Sequence, residues 1–198
     1  MTPQIRKYED GRIGRLADNL VRAHVAPKVI EEIMAGGETI TRSSSGEAKA
    51  AWFREAMQRM NRLLERDVRC SVREACACCL GGKRLQQSKA IARTYATLDE
   101  RIAAANETHF VFGHSVTRQP DGRILVAFQE EGKEHYRCVC LPKAEEPLPV
   151  TYCYCCGGHV KHHLQIALGH KLDLTVRSSA LSSGGMRPCT FLFSLVEN

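Results

Sequence analysis

The sequence contains no long apolar run and no recognisable leader segment. No stretch approaches the about 20 consecutive apolar residues of a membrane-spanning helix. The opening residues, MTPQIRKYEDGRIGRL, also lack the apolar segment that a secretory signal requires. The sequence therefore gives no support for a membrane partner and predicts a cytoplasmic protein.

Aromatic residues are scarce, and the positive charge is unevenly placed along the chain. Phe, Trp and Tyr make up 6% of the 198 residues, and the net charge of +6 comes entirely from residues 1–105. A nucleic-acid surface would combine a basic stripe with stacking aromatic side chains. Here Arg and Lys alternate with Glu and Asp along predicted helices, so a solvated helical surface is favoured over a nucleic-acid partner.

Cysteine, by contrast, is abundant, with ten residues in the chain. A reducing compartment disfavours structural disulfides, so metal binding, thiol chemistry or burial must account for these thiols. At 198 residues and 43% hydrophobic, the chain can bury a core without disulfides.

Helical periodicity runs through residues 1–106 and predicts a helical subdomain. Ser44 and Glu47 have the spacing of a capping box at the start of one helix. Pro27 fits the first turn of an earlier helix. The predicted inward faces comprise Ile30, Ile33 and Met34, then Phe53, Met57, Met60 and Leu64, then Ile91, Tyr95, Leu98 and Ile102 up to Asn106.

Residues 107–198 predict a second subdomain of the order β-β-β-α-β-β. HFVFGHSVT and ILVAF flank the turn RQPDGR and predict a hairpin, and HYRCVCL predicts a third strand. A helix ending at Gly169 and the strands KLDLTVRSS and CTFLFSL follow. The fold class is therefore α+β, with an N-terminal helical layer packed on a mainly antiparallel sheet in one compact unit.

Two segments carry the C-x-x-C spacing, namely Cys76 with Cys79 and Cys153 with Cys156. Two such pairs from distant segments commonly assemble a tetrahedral Cys₄ zinc site. The sequence therefore predicts zinc bound by these four cysteines, with His159 as a substitute ligand. The pairs would then clamp the helical half to the sheet.

The neighbouring cysteines leave alternatives open. Cys78 and Cys155 make the ligand choice ambiguous and allow an iron–sulfur cluster, which needs thiolates at similar spacing. Cys138 and Cys140 share one face of the predicted third strand, as core residues or as a second ligand pair. Cys189 is most simply a buried small hydrophobe.

Redox catalysis is the rival use of C-x-x-C. The CYCC segment precedes a predicted helix whose N-terminus would lower a thiol pKa, so Cys153 or Cys155 could serve a thiol enzyme or redox switch. His159 and His163 would share a helical stripe with Cys155, whereas His162 and His170 are expected to face solvent. The LGGKR segment could hold an anion, but a helix end is the preferred interpretation.

Residues 152–195 carry a resemblance to known proteins. YCYCCGGHVKHHLQIALGHKLDLTVRSSALSSGGMRPCTFLFSL runs as a cysteine-bearing turn, a helix ending in Leu-Gly, a strand, a glycine-containing connection and a Cys-x-Phe-x-Phe strand. This order resembles the vinyl-reductase-type small-molecule-binding domain and the aminothiazoline-carboxylate-hydrolase-like family of bacterial and archaeal proteins. The resemblance implies an α+β unit holding a small, often hydrophobic ligand, with Cys153, Cys155 and Cys189 as recurrent cysteines. The resemblance leaves enzyme activity open, because no hydrolase nucleophile, base and orienting residue can be assigned in this sequence.

A ligand pocket is the third hypothesis. Helical and strand periods turn two sets of apolar side chains toward one interior. We therefore expect a small cavity beside the metal, with Cys189 at its edge and Cys155 among the ligand-binding residues. Its wall would be formed by Val160, Leu164, Phe191 and Phe193.

Overall fold

The structure is a computed structural model that describes residues 8–196. Over these residues the chain forms eight α-helices and a four-stranded sheet. The helices are α1 (Gly11–Arg22), α2 (Pro27–Met34), α3 (Gly46–Leu63), α4 (Arg66–Ala75), α5 (Gly82–Thr94), α6 (Leu98–Asn106), α7 (His109–Phe112) and α8 (Tyr154–Leu168). The strands are β1 (Ser115–Arg118), β2 (Ile124–Ala127), β3 (Leu172–Ser178) and β4 (Thr190–Leu195).

The predicted apolar faces of the first helices are largely confirmed. Phe53, Met57 and Met60 are fully buried on α3, and Pro27 occupies the first turn of α2. The predicted capping box was wrong by one residue. Ser45, not Ser44, accepts the hydrogen bond from the Ala48 N–H, because Ser45 has the extended backbone that an N-cap requires.

The helix that ends at Asn106 is interrupted. Tyr95 ends α5 in an extended conformation and is exposed, although its spacing predicted an inward position. Thr97 then caps α6 through a capping box with Glu100, whose carboxylate accepts the Thr97 N–H. Two helices replace the single periodic stretch because this cap is a strong local start signal.

The sheet is entirely antiparallel, with strand order β1-β2-β4-β3. The predicted hairpin is confirmed in β1 and β2, although HFVF forms the short helix α7 rather than the start of a strand. Gly113 separates the two at a φ of +106°, where a Cβ atom would meet the Ala127 carbonyl oxygen. The α+β class with helices toward the N-terminus is confirmed.

The predicted third strand was wrong. HYRCVCL (residues 135–141) has no strand partner, so the second half has the order β-β-α-β-β after α7. Its polar backbone groups find other partners: the Tyr136 N–H donates to the Gly185 carbonyl, and the Leu141 N–H donates to Cys138 Sγ. Arg12 donates to the Cys140 carbonyl. Hydrogen bonds to loops and side chains therefore replace a sheet ladder here.

Helix α8 lies between the sheet and the N-terminal helices. On one side, a Cβ atom on Gly157 would meet Leu174 of β3 and Phe191 of β4. On the other side, a Cβ atom on Gly158 would lie 2.5 Å from the Glu74 carbonyl oxygen of α4. Two hydrophobic clusters flank this helix, and each draws residues from both sides of position 106.

Within residues 8–196, no helix combines the length and apolar character needed to cross a bilayer.

Gly158→Ala is expected to lower the free energy of unfolding by about 1–3 kcal/mol, because the added methyl group would collide with the α4 backbone. Chemical denaturation measures this loss. Gly11→Ala is the control, since nothing lies within 4 Å of its Cβ position. A Gly158→Ala protein as stable as the control would contradict the close packing of α8 on α4.

Candidate thiol centre

Four cysteines meet where the connection 128–149 reaches the first turn of α8. The Cys140 and Cys156 sulfur atoms lie 3.1 Å apart. Cys138 and Cys155 interact with the same pair, since hydrogen bonding with Cys140 lowers the pKa of both thiols. We call Cys138, Cys140, Cys155 and Cys156 the thiol cluster.

The local fold explains why these thiols converge. A 3₁₀ turn at Val150–Cys153 runs directly into α8, so adjacent residues Cys155 and Cys156 lie in the first helical turn. Arg12 of α1 holds the opposite segment through its hydrogen bond to the Cys140 carbonyl. The amide dipoles at the start of α8 favour negative charge at this position.

Arg73 supplies a buried positive charge beside the cluster. Its side chain is 2% exposed, and its guanidinium lies 4.7 Å from the Tyr152 ring centroid and donates to the Tyr152 carbonyl. Arg73 has no carboxylate partner in the described part of the chain, and its Nε is buried without a hydrogen bond there. Burial opposes its charge, but the attraction of the Cys155 and Cys76 thiols and the Tyr152 phenol outweighs burial and raises the Arg73 pKa.

The cluster stabilises a thiolate at Cys155. Hydrogen bonds from Cys140 and Cys156 lower the pKa of the Cys155 thiol well below its ordinary value, and the charges of Arg73 and Arg12 lower it further. Burial opposes this shift but does not outweigh it. Cys155 is therefore the thiol of this cluster best suited to carry negative charge.

Of the other members of the cluster, Cys140 and Cys156 act mainly as proton donors, whereas Cys138 ionises more readily than an ordinary thiol. The hydrogen bond from Cys140 lowers the pKa of Cys138 to about 7. The pKa of Cys140 itself is raised, first by its bond to Cys138 and then by those to Cys155 and Cys156. For Cys156 the bond from Cys140 lowers the pKa, but the bond to Cys155 and burial raise it well above the ordinary value. The resulting pattern is a thiolate at Cys155, protonated thiols at Cys140 and Cys156, and a Cys138 thiol that ionises near pH 7.

The structure does not bring the predicted zinc ligands together. Cys76 is buried and hydrogen-bonds to Asn19 and the Arg15 carbonyl, while Cys79 is exposed at a φ of +60°. Cys153 Sγ lies 2.8 Å from Ser179 Oγ. Within residues 8–196, no group of three or more His, Cys, Asp or Glu is arranged to hold a metal ion.

The CACC segment does adjoin α8, but histidines make the connection. His159 Nδ1 lies 2.9 Å from the Cys78 carbonyl oxygen, and His163 Nε2 lies 3.0 Å from that of Cys79. Burial lowers the pKa of both rings, to about 4 for His163. Ser88 lies 3.1 Å from the other nitrogen of His163, so neutral His163 can donate to the carbonyl and accept from the hydroxyl.

Two smaller predictions at this place were wrong. The Gly-Gly of LGGKR begins α5 rather than ending a helix, since Gly81 is its N-cap. His162 is only half-exposed, and its Nε2 is buried without a hydrogen bond among the described residues, so it does not face open solvent. His170 is exposed, as predicted.

The predicted ligand-binding residues divide between two places. Four of them have fully buried side chains that pack together in one core cluster: Val160, Leu164, Phe191 and Phe193. Cys189 joins the same core cluster, where its sulfur accepts the Ala180 N–H. Cys155 belongs to the thiol cluster instead. Ligand binding by this set stays a prediction.

Sequence reasoning missed Arg73 and gave Cys138 and Cys140 only a secondary role. The alternation Cys-Val-Cys was visible, but its assignment to a strand hid its position opposite α8. Arg73 is one of many Arg residues on helices, and nothing in its local sequence predicts burial. The sequence did place Cys155 near the start of a helix, and the structure has this residue in the first turn of α8.

No protein-family profile matches the chain, and no curated protein matches its sequence.

Replacing Arg73 by Met is expected to raise the pKa of the Cys155 thiol, because the buried positive charge beside the thiolate is lost. Thiolate absorbance titrated against pH measures the shift, and Cys155→Ser identifies which transition belongs to Cys155. Arg66→Met is the control on the same helix, since Arg66 is exposed and hydrogen-bonds to Tyr154 rather than to the cluster. An unchanged titration in Arg73→Met would refute the role given to Arg73.

Proposed function

We propose that this protein is a thiol redox switch in which Cys140 and Cys156 form a reversible disulfide and Cys155 is the working thiolate. The single observation that carries the proposal is the 3.1 Å separation of the Cys140 and Cys156 sulfur atoms. A disulfide bond is about 2.05 Å long, so closing it requires a movement of about 1 Å.

The surrounding groups support this chemistry. Disulfide formation releases two protons and two electrons, and the electrons must pass to an acceptor such as another disulfide. The Cys155 thiolate, hydrogen-bonded by both thiols, can take a proton from either one as it reacts. Arg73 and Arg12 compensate the negative charge that is present before and during the exchange.

A reversible dithiol suits a reducing compartment, where the bond is made and then reduced again. We therefore keep the cytoplasm as the proposed location. The resemblance to the vinyl-reductase-type domain adds the proposal that a small molecule reaches this site. Neither statement is needed for the disulfide chemistry itself.

Mild oxidation of the reduced protein is expected to join Cys140 to Cys156. Peptide mass spectrometry without reduction locates the bond. Cys140→Ser and Cys156→Ser should each abolish this bridge, whereas Cys78→Ser, which removes an exposed thiol outside the cluster, should leave it intact.

An oxidised protein in which Cys140 and Cys156 both stay free, with bridges confined to other cysteines, would reject the redox proposal. Re-reduction by a dithiol must also restore the starting alkylation pattern, because irreversible oxidation is not a switch.

Metal binding is the alternative, since soft thiolates favour zinc or an iron–sulfur cluster. The predicted ligands are Cys76, Cys79, Cys153, Cys156 and His159. Elemental analysis of protein purified without air distinguishes the two functions. One metal per chain, with thiols protected from alkylation until a chelator is added, would replace the redox proposal. A metal content near zero would remove the alternative.

Oxidation is also expected to stabilise the fold. Cys140 and Cys156 are 16 residues apart, and a bridge closing a loop of that size raises the free energy of unfolding by about 3 kcal/mol. Denaturant titrations of oxidised and reduced protein measure the gain. Cys78→Ser should show the same gain and Cys140→Ser none. A gain that persists in Cys140→Ser would come from a different bridge.

A further inference from the structure

A cavity of about 370 Å³ reaches the thiol cluster at Cys138. It lies between the segment 135–146 and the turn 180–185 of the β3–β4 connection. Its size is at the small end of the about 300–1,000 Å³ typical of ligand sites. None of the core residues predicted to line a pocket takes part in its wall.

Hydrogen bonds fix both walls of the cavity. The Tyr136 N–H donates to the Gly185 carbonyl, and the Gly185 N–H donates to the Ala180 carbonyl. Gly185 has a φ of +88°, and a Cβ atom there would overlap the His135 ring. Residues 135–138 are therefore held against the turn by contacts that leave no space for a larger side chain at position 185.

Two cysteines outside the cluster support the same turn. Cys153 Sγ lies 2.8 Å from Ser179 Oγ, which accepts the Ser182 N–H, and Cys189 Sγ accepts the Ala180 N–H. Burial raises the pKa of both thiols, which favours the protonated form. Cys153 and Cys189 therefore support the turn from behind, and Cys138 is the cysteine that lines the cavity.

The lining of the cavity includes charged residues of both signs. Arg137 and Lys143 supply positive charge, and Glu47 and Glu145 supply negative charge. Glu146 also lines it, but this carboxylate pairs with Arg54. Opposite charges on one small surface are suited to a ligand that bears both an ammonium and a carboxylate group.

We propose that this cavity admits a small zwitterionic disulfide, such as that of an amino-acid thiol, and presents it to Cys138. The inference rests on the proposed function, because it names the electron acceptor of the Cys140–Cys156 pair. The buried cluster is thereby connected to solvent through Cys138.

The exchange balances in three steps. The Cys138 thiolate attacks one sulfur of the bound disulfide, whose S–S bond breaks to give a mixed disulfide and one small thiolate. Cys140, two residues along the chain from Cys138, attacks the Cys138 sulfur and releases the second small thiolate. Cys156 then attacks Cys140 and releases Cys138 as a thiolate. The protons of Cys140 and Cys156 leave on the two small thiols.

The test treats the reduced full-length protein with cystine and follows thiols by quenched mass spectrometry. Wild-type protein is expected to form the Cys140–Cys156 bridge. Cys138→Ser should slow this reaction about tenfold or more, yet still form the bridge with diamide, a thiol oxidant that needs no mixed disulfide at Cys138. Cys140→Ser should trap one half-cystine on Cys138. Cys78→Ser is the matched control and should react like the wild type.

Charge is tested separately with cystamine, which carries only positive charge, and dithiodiglycolate, which carries only negative charge. Rates are expressed relative to those of a free small thiol with the same probe. In Lys143→Gln the reaction with cystine is expected to be about two- to fivefold slower, which is the size of effect that loss of an exposed charge pair gives. The rate of the reaction with cystamine is expected not to fall.

Equal cystine rates in Cys138→Ser and wild type, or trapping of half-cystine on a cysteine other than Cys138, would overturn the inference. These outcomes are separable from failure of the proposed function. If no oxidant forms the Cys140–Cys156 bridge while Cys140→Ser still traps half-cystine on Cys138, the cavity assignment stands and the switch does not.

Discussion

The charge of Arg73, buried without a carboxylate partner in the described chain, is the constraint on which the thiol centre depends. Burying a cation is costly unless a compensating group lies nearby. Here the available acidic groups are thiols and a phenol, and burial keeps the pKa of Tyr152 well above its ordinary value. A thiolate at Cys155 is therefore the group that can balance Arg73, so the burial of Arg73 favours ionisation of Cys155 in the folded state.

The close packing of α8 makes this arrangement possible. Gly157 and Gly158 let the helix approach β3 and α4 at once, with Leu174 on one side and Glu74 on the other. Larger residues would push the helix away from α4, which carries Arg73. His159 and His163 extend the same contact by binding the carbonyls of the 78–79 segment. The packing of α8 against α4 therefore sets the position of Cys155 and Cys156 relative to the charge of Arg73.

Much of the fold followed from sequence periodicity, whereas the site followed only in part. The α+β class, the buried faces of α3 and α8 and the hairpin were all predictable, because each depends on a local repeat or turn. Cys138 and Cys140 were not placed, since their alternating pattern looks like a strand until Gly185 and Arg12 are known to satisfy its backbone. The C-x-x-C spacing predicted that the CACC and CYCC segments lie close together. Spacing could not show that the side chains of His159 and His163 would contact the carbonyl oxygens of the CACC segment.

The geometry also explains how a disulfide can move within the thiol cluster, whereas its reduction needs two electrons from an external thiol. In the dithiol form, Cys140 and Cys156 donate hydrogen bonds that stabilise the Cys155 thiolate. Once these two sulfurs are joined, neither carries a proton to donate, so the thiolate loses that stabilisation and keeps the charges of Arg73 and Arg12. A thiolate with fewer hydrogen bonds is a stronger nucleophile, and its nearest target is the new disulfide. Attack by Cys155 transfers the disulfide within the cluster and releases one of the two bonded sulfurs as a thiolate. The number of disulfides is unchanged, so the return to the dithiol form depends on a further exchange with an external dithiol.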